Sequence, residues 1–308
     1  MGITLYKNAD WILTVNEKRE KFRHGDLLIS GKEILDVGND LEKKYAGKLQ
    51  IDKTIDAKGT VILPGFVNIH HHTWQSLIRN IQATRGLKLE PWLTVMYEIY
   101  KDLNTDVARA GVYSGLGDML KTGCTTSNDL WYPHPVGVKY LVDAEIQAAA
   151  EIGIRFHPTR GFHSVPSDIV PPEVVDTKES VTEDTIRLVK KYHDRSRFSM
   201  CQVGIAPSIA QYETEDIIEA VVDLAEEYDI MVHGHLAESQ HEVEYTLKTW
   251  GCRPFEWFKR HRLLGKRFYF AHCIHLNEEE IEQMAETETG VAHCPISNMK
   301  LASGVARV

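Results

Sequence analysis

The chain has little that would draw it to a polyanion. Its 308 residues carry 35 Lys and Arg against 44 Asp and Glu, a formal net charge of -9, which argues against nonspecific binding to nucleic acid or an anionic membrane. Basic pairs such as Lys43-Lys44 and Lys190-Lys191 read as solvated helix faces. Cysteine is sparse and scattered. Cys124, Cys201, Cys252, Cys273 and Cys294 are five in number and form no C-x-x-C pair. A disulfide framework and a zinc finger are therefore not expected, and a reduced, cytoplasmic setting is. No apolar run reaches transmembrane length. The opening MGITLYKNADWILTV lacks a basic segment ahead of a long apolar stretch, so no secretory signal is evident, and Tyr6 breaks the myristoylation pattern. A small-molecule partner is expected, with no nucleic acid and no membrane; self-association into a homo-oligomer is left open.

What is present suits a well-filled core: hydrophobic residues make up 43% and charged residues 26%. Residues 1–60 read as short strands and turns, with candidates at Ile3–Tyr6, Trp11–Val15, Leu27–Ser30, Glu33–Val37 and Thr54–Ala57. Gly31-Lys32 is placed as a hairpin turn. This region is expected to be the N-terminal part of a small β-sandwich-like domain. From Val61 to Val308 the pattern changes to strand followed by helix. Barrel-strand candidates are Val61–Ile69 (interrupted by Pro64-Gly65), Cys124–Leu130, Ile154–Thr159, Met200–Ala206, Ile230–His233, Arg267–Ala271 and Val291–Ala292. Helices are expected at Asp106–Thr122, Asp143–Ile152, Ser239–Thr249 and Asn277–Glu288. A further helix should open on a Ser180-x-x-Glu183 capping box, and another carries the stripe Ile217, Val221, Leu224, Ala225 and Tyr228. The fold class is thus α/β: a (β/α)8 TIM-like barrel, incomplete with about seven strands, next to a small β domain.

The candidate chemistry gathers where predicted strands end, which is the face on which a barrel builds its active site. His70 and His72, in PGFVNIHHH, stand two residues apart on a strand, so both imidazoles turn to the same side and can converge on one ion. His235 and Glu238 follow in VHGHLAES, and His272 in YFAHC. Any one of these histidines alone reads more simply as a packing residue bonded to a backbone carbonyl. Three sites at the same rim favour a metal centre, because neutral imidazole is the usual ligand of a catalytic zinc or iron with an open position.

The strings PGFVNIHHHTWQSLIRN, GCTTSNDLWYP, HLAES, AHC and AHCPISNMKLASGVA resemble the amidohydrolase superfamily. They are most similar to its mononuclear-metal deaminase branch, the group that holds 8-oxoguanine deaminase, guanine deaminase and the s-triazine hydrolases. The resemblance runs from about Leu63 to the last residue. It implies that His70, His72 and His235 hold one divalent metal, zinc by default or iron, joined by an Asp at the end of an eighth strand. It also implies that Glu238 shuttles a proton to a ring nitrogen and that His272 contacts the hydrolytic water or the developing tetrahedral centre. Such a metal lowers the pKa of water from 15.7 to about 7. The binuclear branch needs a carboxylated Lys on its fourth strand, and here that strand reads MCQVGIAP. One metal is therefore expected. The implied activity is that of an aminohydrolase releasing ammonia from an oxidised purine, guanine or triazine. The alternatives are a chlorohydrolase or alkylaminohydrolase on a triazine-like ring, or an inactive metal-binding fragment.

Other residues are weighed for the substrate. Gln75 could hydrogen-bond a heterocycle edge, or be a surface amide. Trp92 and Tyr97 could stack on a flat ring, or be plain core. Arg160 could meet a substrate oxygen, with a salt bridge the simpler reading. His293 and Asn298 are given structural roles. Two positions depart from the resemblance: APSIAQYE at the fourth-strand exit, and Gly234 where Thr is common. Both would line or support the pocket. The chain stops at Val308, inside the segment expected to lead to a seventh helix and an eighth strand. Residues 1–308 alone are therefore expected to turn over little or nothing.

Overall fold

A computed structural model describes residues 2–307, which fall into two compact units, Met1–Phe66 and Val67–Val308. The first holds β1 (Ile3–Leu13), β2 (Lys21–Ser30), β3 (Glu33–Gly38), β4 (Lys53–Asp56) and β5 (Val61–Ile62), with a single-turn helix α1 (Leu41–Tyr45) between β3 and β4 in the chain. The sheet order is β3-β2-β1-β4, with β5 also pairing β1. The two strands expected at Ile3–Tyr6 and Trp11–Val15 are one strand, β1, broken only in register between Tyr6 and Ala9. Asn8 sits there at φ 61°, and the Asp26 carboxylate accepts its N–H at 3.0 Å. The residues between the two expected strands, Lys7-Asn8, form a bulge. Gly31 takes φ 55° in the two-residue turn that pairs Ser30 with Glu33. Leu5, Leu28 and Leu41 are fully enclosed and form a small core.

The remaining strands are β6 (Phe66–Asn68), β7 (Cys124–Trp131), β8 (Arg155–Phe162), β9 (Gly204–Pro207), β10 (Val232–Leu236), β11 (Phe268–His272) and β12 (Gly290–Ala292). They lie side by side in chain order as a seven-stranded sheet, parallel at each pair whose register is described. The sheet curls into a half-barrel. Its helices are α2 (Leu89–Tyr100), α3 (Thr105–Lys121), α4 (Leu141–Ile152), α5 (Lys178–Tyr192), α6 (Glu215–Tyr228), α7 (Gln240–Trp250), α8 (Pro254–Arg260), α9 (Glu278–Thr287) and α10 (Pro295–Lys300). On α6 the expected stripe is buried except at Tyr228, which is half-buried, and Ile218 and Val222 widen it. Each such side chain contributes about 1.5–3 kcal/mol of burial.

Three expectations need correction. Val61–Ile62 pairs with β1 rather than opening the barrel sheet, because Pro64-Gly65 ends one strand before the next begins. The capping box of α5 is formed by Thr177 and Ser180, so Ser180 is the third helical residue and not the cap. Helices α2, α8 and α10 were not anticipated. Each has a proline in its first turn, Pro91, Pro254 and Pro295, where no intrahelical N–H is needed and a proline costs nothing. Among the described residues no helix is long and apolar enough to cross a membrane.

Candidate metal centre and catalytic site

β6 ends at Asn68, and the next residues bend so that His70 and His72 face inward. His70 is steadied by its N–H, which donates to Asn68 Oδ1 at 3.2 Å. β10 brings His235 to the same point from the other side. One ring nitrogen from each of His70, His72 and His235 lies within 4.8 Å of the other two. Both strands that deliver the remaining groups end in strained backbone: Ala237 after β10 has φ 49°, and His272 and Cys273 have φ 72° and 50°. Non-glycine residues enter this region rarely, and they cluster at functional sites.

Hydrogen bonds settle which nitrogens point inward. His72 Nδ1 lies 2.7 Å from the Leu130 carbonyl, and His235 Nδ1 lies 2.7 Å from the Ser208 carbonyl. A carbonyl can only accept, so each Nδ1 carries the proton. Burial, and then the neighbouring imidazoles, hold the pKa of His72 well below its ordinary value; burial and His272 push that of His235 down to about 4. Both rings are neutral, with a bare lone pair on Nε2. Those two Nε2 atoms stand 3.3 Å apart. Neither has a proton to give the other, so they repel unless something positive lies between them. That donor set fits a cation.

Glu238 is buried just beyond β10, and its Oε2 lies 3.4 Å from His272 Nε2. Burial pushes its carboxyl up to about 7, with Glu90 adding to the rise and His235 opposing it. Its N–H, at 2.9 Å, and that of Ala237, at 3.1 Å, donate to the two oxygens of Glu242. Glu242 also sits in the first turn of α7, where its N–H donates to Ser239 Oγ at 3.2 Å. His272 Nδ1 is 2.8 Å from Asn298 Oδ1, so Asn298, on α10, orients that ring.

These groups open into a cavity of about 980 Å³, which Gln75, Trp92 and Tyr97 also line. Gln75 Nε2 donates to Tyr100 Oη at 3.0 Å. Tyr97 is almost wholly buried, with Oη 2.5 Å from His163 Nε2. Arg160 is elsewhere. Its guanidinium is bidentate to Asp176 at 2.8 and 3.1 Å, reaches Asp184 at 3.0 Å, and does not line the cavity. Gly234 does not line it either; a Cβ there would stand 2.5 Å from the Pro207 carbonyl oxygen.

Sequence reasoning passed over several groups. His233 bonds the His70 ring at 2.8 Å. Cys294 forms a second close set with His70 and His272. Glu213 lies 3.4 Å from His163 Nδ1. The alternation in VHGH was the available signal for His233, since it shares a strand face with His235.

The seven-stranded parallel sheet thus gathers its imidazoles at one point near its strand ends. Residues 61–308 match the amidohydrolase family, and the chain belongs to it. It is 35% identical over 253 residues to 8-oxoguanine deaminase of Pseudomonas aeruginosa, covering 81% of this chain and 56% of that one. It is 32% identical over 306 residues to 5-methylthioadenosine/S-adenosylhomocysteine deaminase of Bacillus cereus, covering 99% and 66%. The chain thus spans 56% to 66% of the length of these relatives. The crystal structure of atrazine chlorohydrolase from Arthrobacter aurescens, complexed with zinc, superposes with a TM-score of 0.90 at 24% identity, covering 98% of this chain and 68% of that one. At that identity the likeness establishes the fold.

Proposed function

We propose that the protein is a hydrolase that releases ammonia from an amino-substituted N-heterocycle, using one divalent metal held by His70, His72 and His235. The observation that carries this reading is the pair of bare Nε2 atoms 3.3 Å apart, with the Glu238 carboxyl beside them. A zinc or iron ion bound there would lower the pKa of a water molecule to about 7, making hydroxide available as a nucleophile near neutral pH. Glu238, with its carboxyl pushed up to about 7, takes a proton and gives it back with equal ease at that pH. It delivers one proton of the attacking water to the ring nitrogen beside the attacked carbon, and then carries the second, from the new hydroxyl, to the amine as the C–N bond breaks and ammonia leaves. His272, held by Asn298, faces the same carboxyl and steadies the oxygen at the reacting carbon. Gln75 offers an amide to the ring edge and Trp92 an aromatic face. Arg160, its hydrogen bonds already committed to two carboxylates, is not assigned to the substrate.

Relatives named as deaminases of 8-oxoguanine and of 5-methylthioadenosine direct the choice of substrates. The zinc-loaded protein, as its gene encodes it, should be assayed for ammonia on oxidised guanine, guanine, adenine-type nucleosides and aminotriazines. Chloro- and alkylamino-triazines form the second panel. Ammonia released one for one with product is the expected result. Chloride or alkylamine without ammonia overturns the aminohydrolase reading in favour of the other leaving groups, and metal uptake without any turnover reduces the protein to a binding scaffold.

A further inference from the structure

The three proposed ligands receive their proton placement by two different routes. His72 and His235 each donate Nδ1–H straight to a carbonyl, at 2.7 Å. The partner of His70 Nδ1 is another imidazole, His233 Nε2, at 2.8 Å. Two ring nitrogens facing each other leave the direction of that bond undetermined. The far side of His233 determines it. His233 Nδ1 lies 2.9 Å from the Tyr269 carbonyl, which can only accept, so Nδ1 carries the proton. The ring is fully enclosed, and a neutral imidazole has one proton to place. Its Nε2 is therefore a bare acceptor, and the hydrogen between the two rings belongs to His70 Nδ1. With its one proton on Nδ1, a neutral His70 presents a bare Nε2 as well. One backbone oxygen on β11 thus sets the proton positions of two rings in series.

The relay is held rigidly. The His233 ring is fully enclosed and stacks on Tyr269, with ring centroids 4.0 Å apart and planes 10° from parallel. It does not line the cavity, so it touches no substrate. A metal-binding imidazole is commonly oriented through its second nitrogen, usually by a carboxylate, carbonyl or water. Here a neutral imidazole does that work, and it adds no charge to a site whose carboxyl Glu238 lies close by.

We propose that His233 is a positioning residue that locks His70 in its Nδ1–H tautomer, so that all three ligand imidazoles present a bare Nε2 to one cation. The proposal rests on the reading of His70, His72 and His235 as ligands, and its test separates the two. Nitrogen-15 NMR of the metal-free protein reads the His70 tautomer directly, with no metal involved. The expected result is a protonated Nδ1 in the wild type and a mixture of tautomers in His233→Phe. Zinc affinity, measured by competition with a chromogenic chelator, should fall about 10–100-fold in His233→Phe. His233→Gln, whose amide oxygen still accepts from Nδ1, should recover most of the loss. His70→Ala tests the ligand reading by itself: undiminished zinc affinity there removes the metal assignment and leaves the tautomer result standing. A wild-type His70 protonated on Nε2 overturns the relay. So does a folded His233→Phe that keeps both the Nδ1–H tautomer and zinc affinity within about threefold of wild type. Because the wild-type spectrum needs no variant, a failure of Phe to fold leaves the proposal open to refutation.

Discussion

Around Arg160 every cation meets an anion, whereas around His70 imidazoles crowd together with no anion to balance a charge on any of them except Glu238. The first cluster runs unbroken from Asp176 through Arg160, Asp184 and Arg187 to Asp143 and Lys191. The second packs His72, His233, His235 and His272 around His70, with ring centroids 4.8 to 5.5 Å away. The imidazole cluster is largely buried, the ion-pair chain is buried at Arg160, Asp176 and Asp143, and both lie within Val67–Val308. The difference is saturation. The ion-pair chain has spent its hydrogen-bonding capacity on itself and has none left for a ligand. The imidazole cluster has its protons pinned on the outside and its lone pairs turned inward. A buried polar cluster that satisfies itself serves the fold; one that leaves like groups facing each other is built to receive something.

The comparison can be broken at either cluster. The largest effect is expected at Glu238. Glu238→Gln keeps the shape and removes the proton carrier, so turnover should fall about 10²–10⁴-fold, while zinc content and the unfolding midpoint stay as they were. Arg160→Ala should do the converse. It strands the buried Asp176 carboxylate, while Asp184 keeps Arg187, and denaturant unfolding should show a loss of about 3–5 kcal/mol with zinc affinity unchanged in the fraction still folded. An equal loss of stability from both substitutions would erase the distinction.

A smaller effect comes from acid. Burial pushes the Asp143 carboxyl up, but hydrogen bonds from Arg187, Tyr192 and Lys191 outweigh it and hold the group at about 2, below its ordinary 3.8. A lowered folded-state pKa means the stabilisation is complete above 3.8 and is lost as the pH falls toward 2. Unfolding midpoints followed across that window should drop in the wild type, and less so in Asp143→Asn. Least is expected of Lys191→Ala. That ammonium is half exposed at the end of the chain of ion pairs, so its removal should cost about 0–1 kcal/mol. A loss as large as that of Arg160→Ala would mean that position in the network does not matter.

Much of this was legible before any coordinates. Strand-and-helix alternation showed the barrel from Cys124 onward because its strands are short apolar runs between amphipathic helices, each with a period visible in the residues. Histidines 70, 72, 235 and 272 were legible because strand ends are where a barrel collects its chemistry, and the resemblance to amidohydrolases lies in those same strings. What stayed hidden was tertiary. Arg160 drew attention as a cation at a strand exit, and only the fold shows Asp176 and Asp184 closing on it. The helices that open on Pro91, Pro254 and Pro295 were not expected, since a proline at the start of a helix and one in a loop look alike in sequence. His233 was overlooked because its role depends on Tyr269, a residue 36 positions away.

Gly234 stands between His233 and His235 with the Pro207 carbonyl pressed against it. The lateral gap between β9 and β10 is therefore set by a missing methyl group, and both histidines ride on the strand that any larger residue would shove aside. A library that varies this position in search of altered selectivity would be sampling how far apart two strands can stand, and with it the aim of the imidazoles, rather than the lining of the pocket.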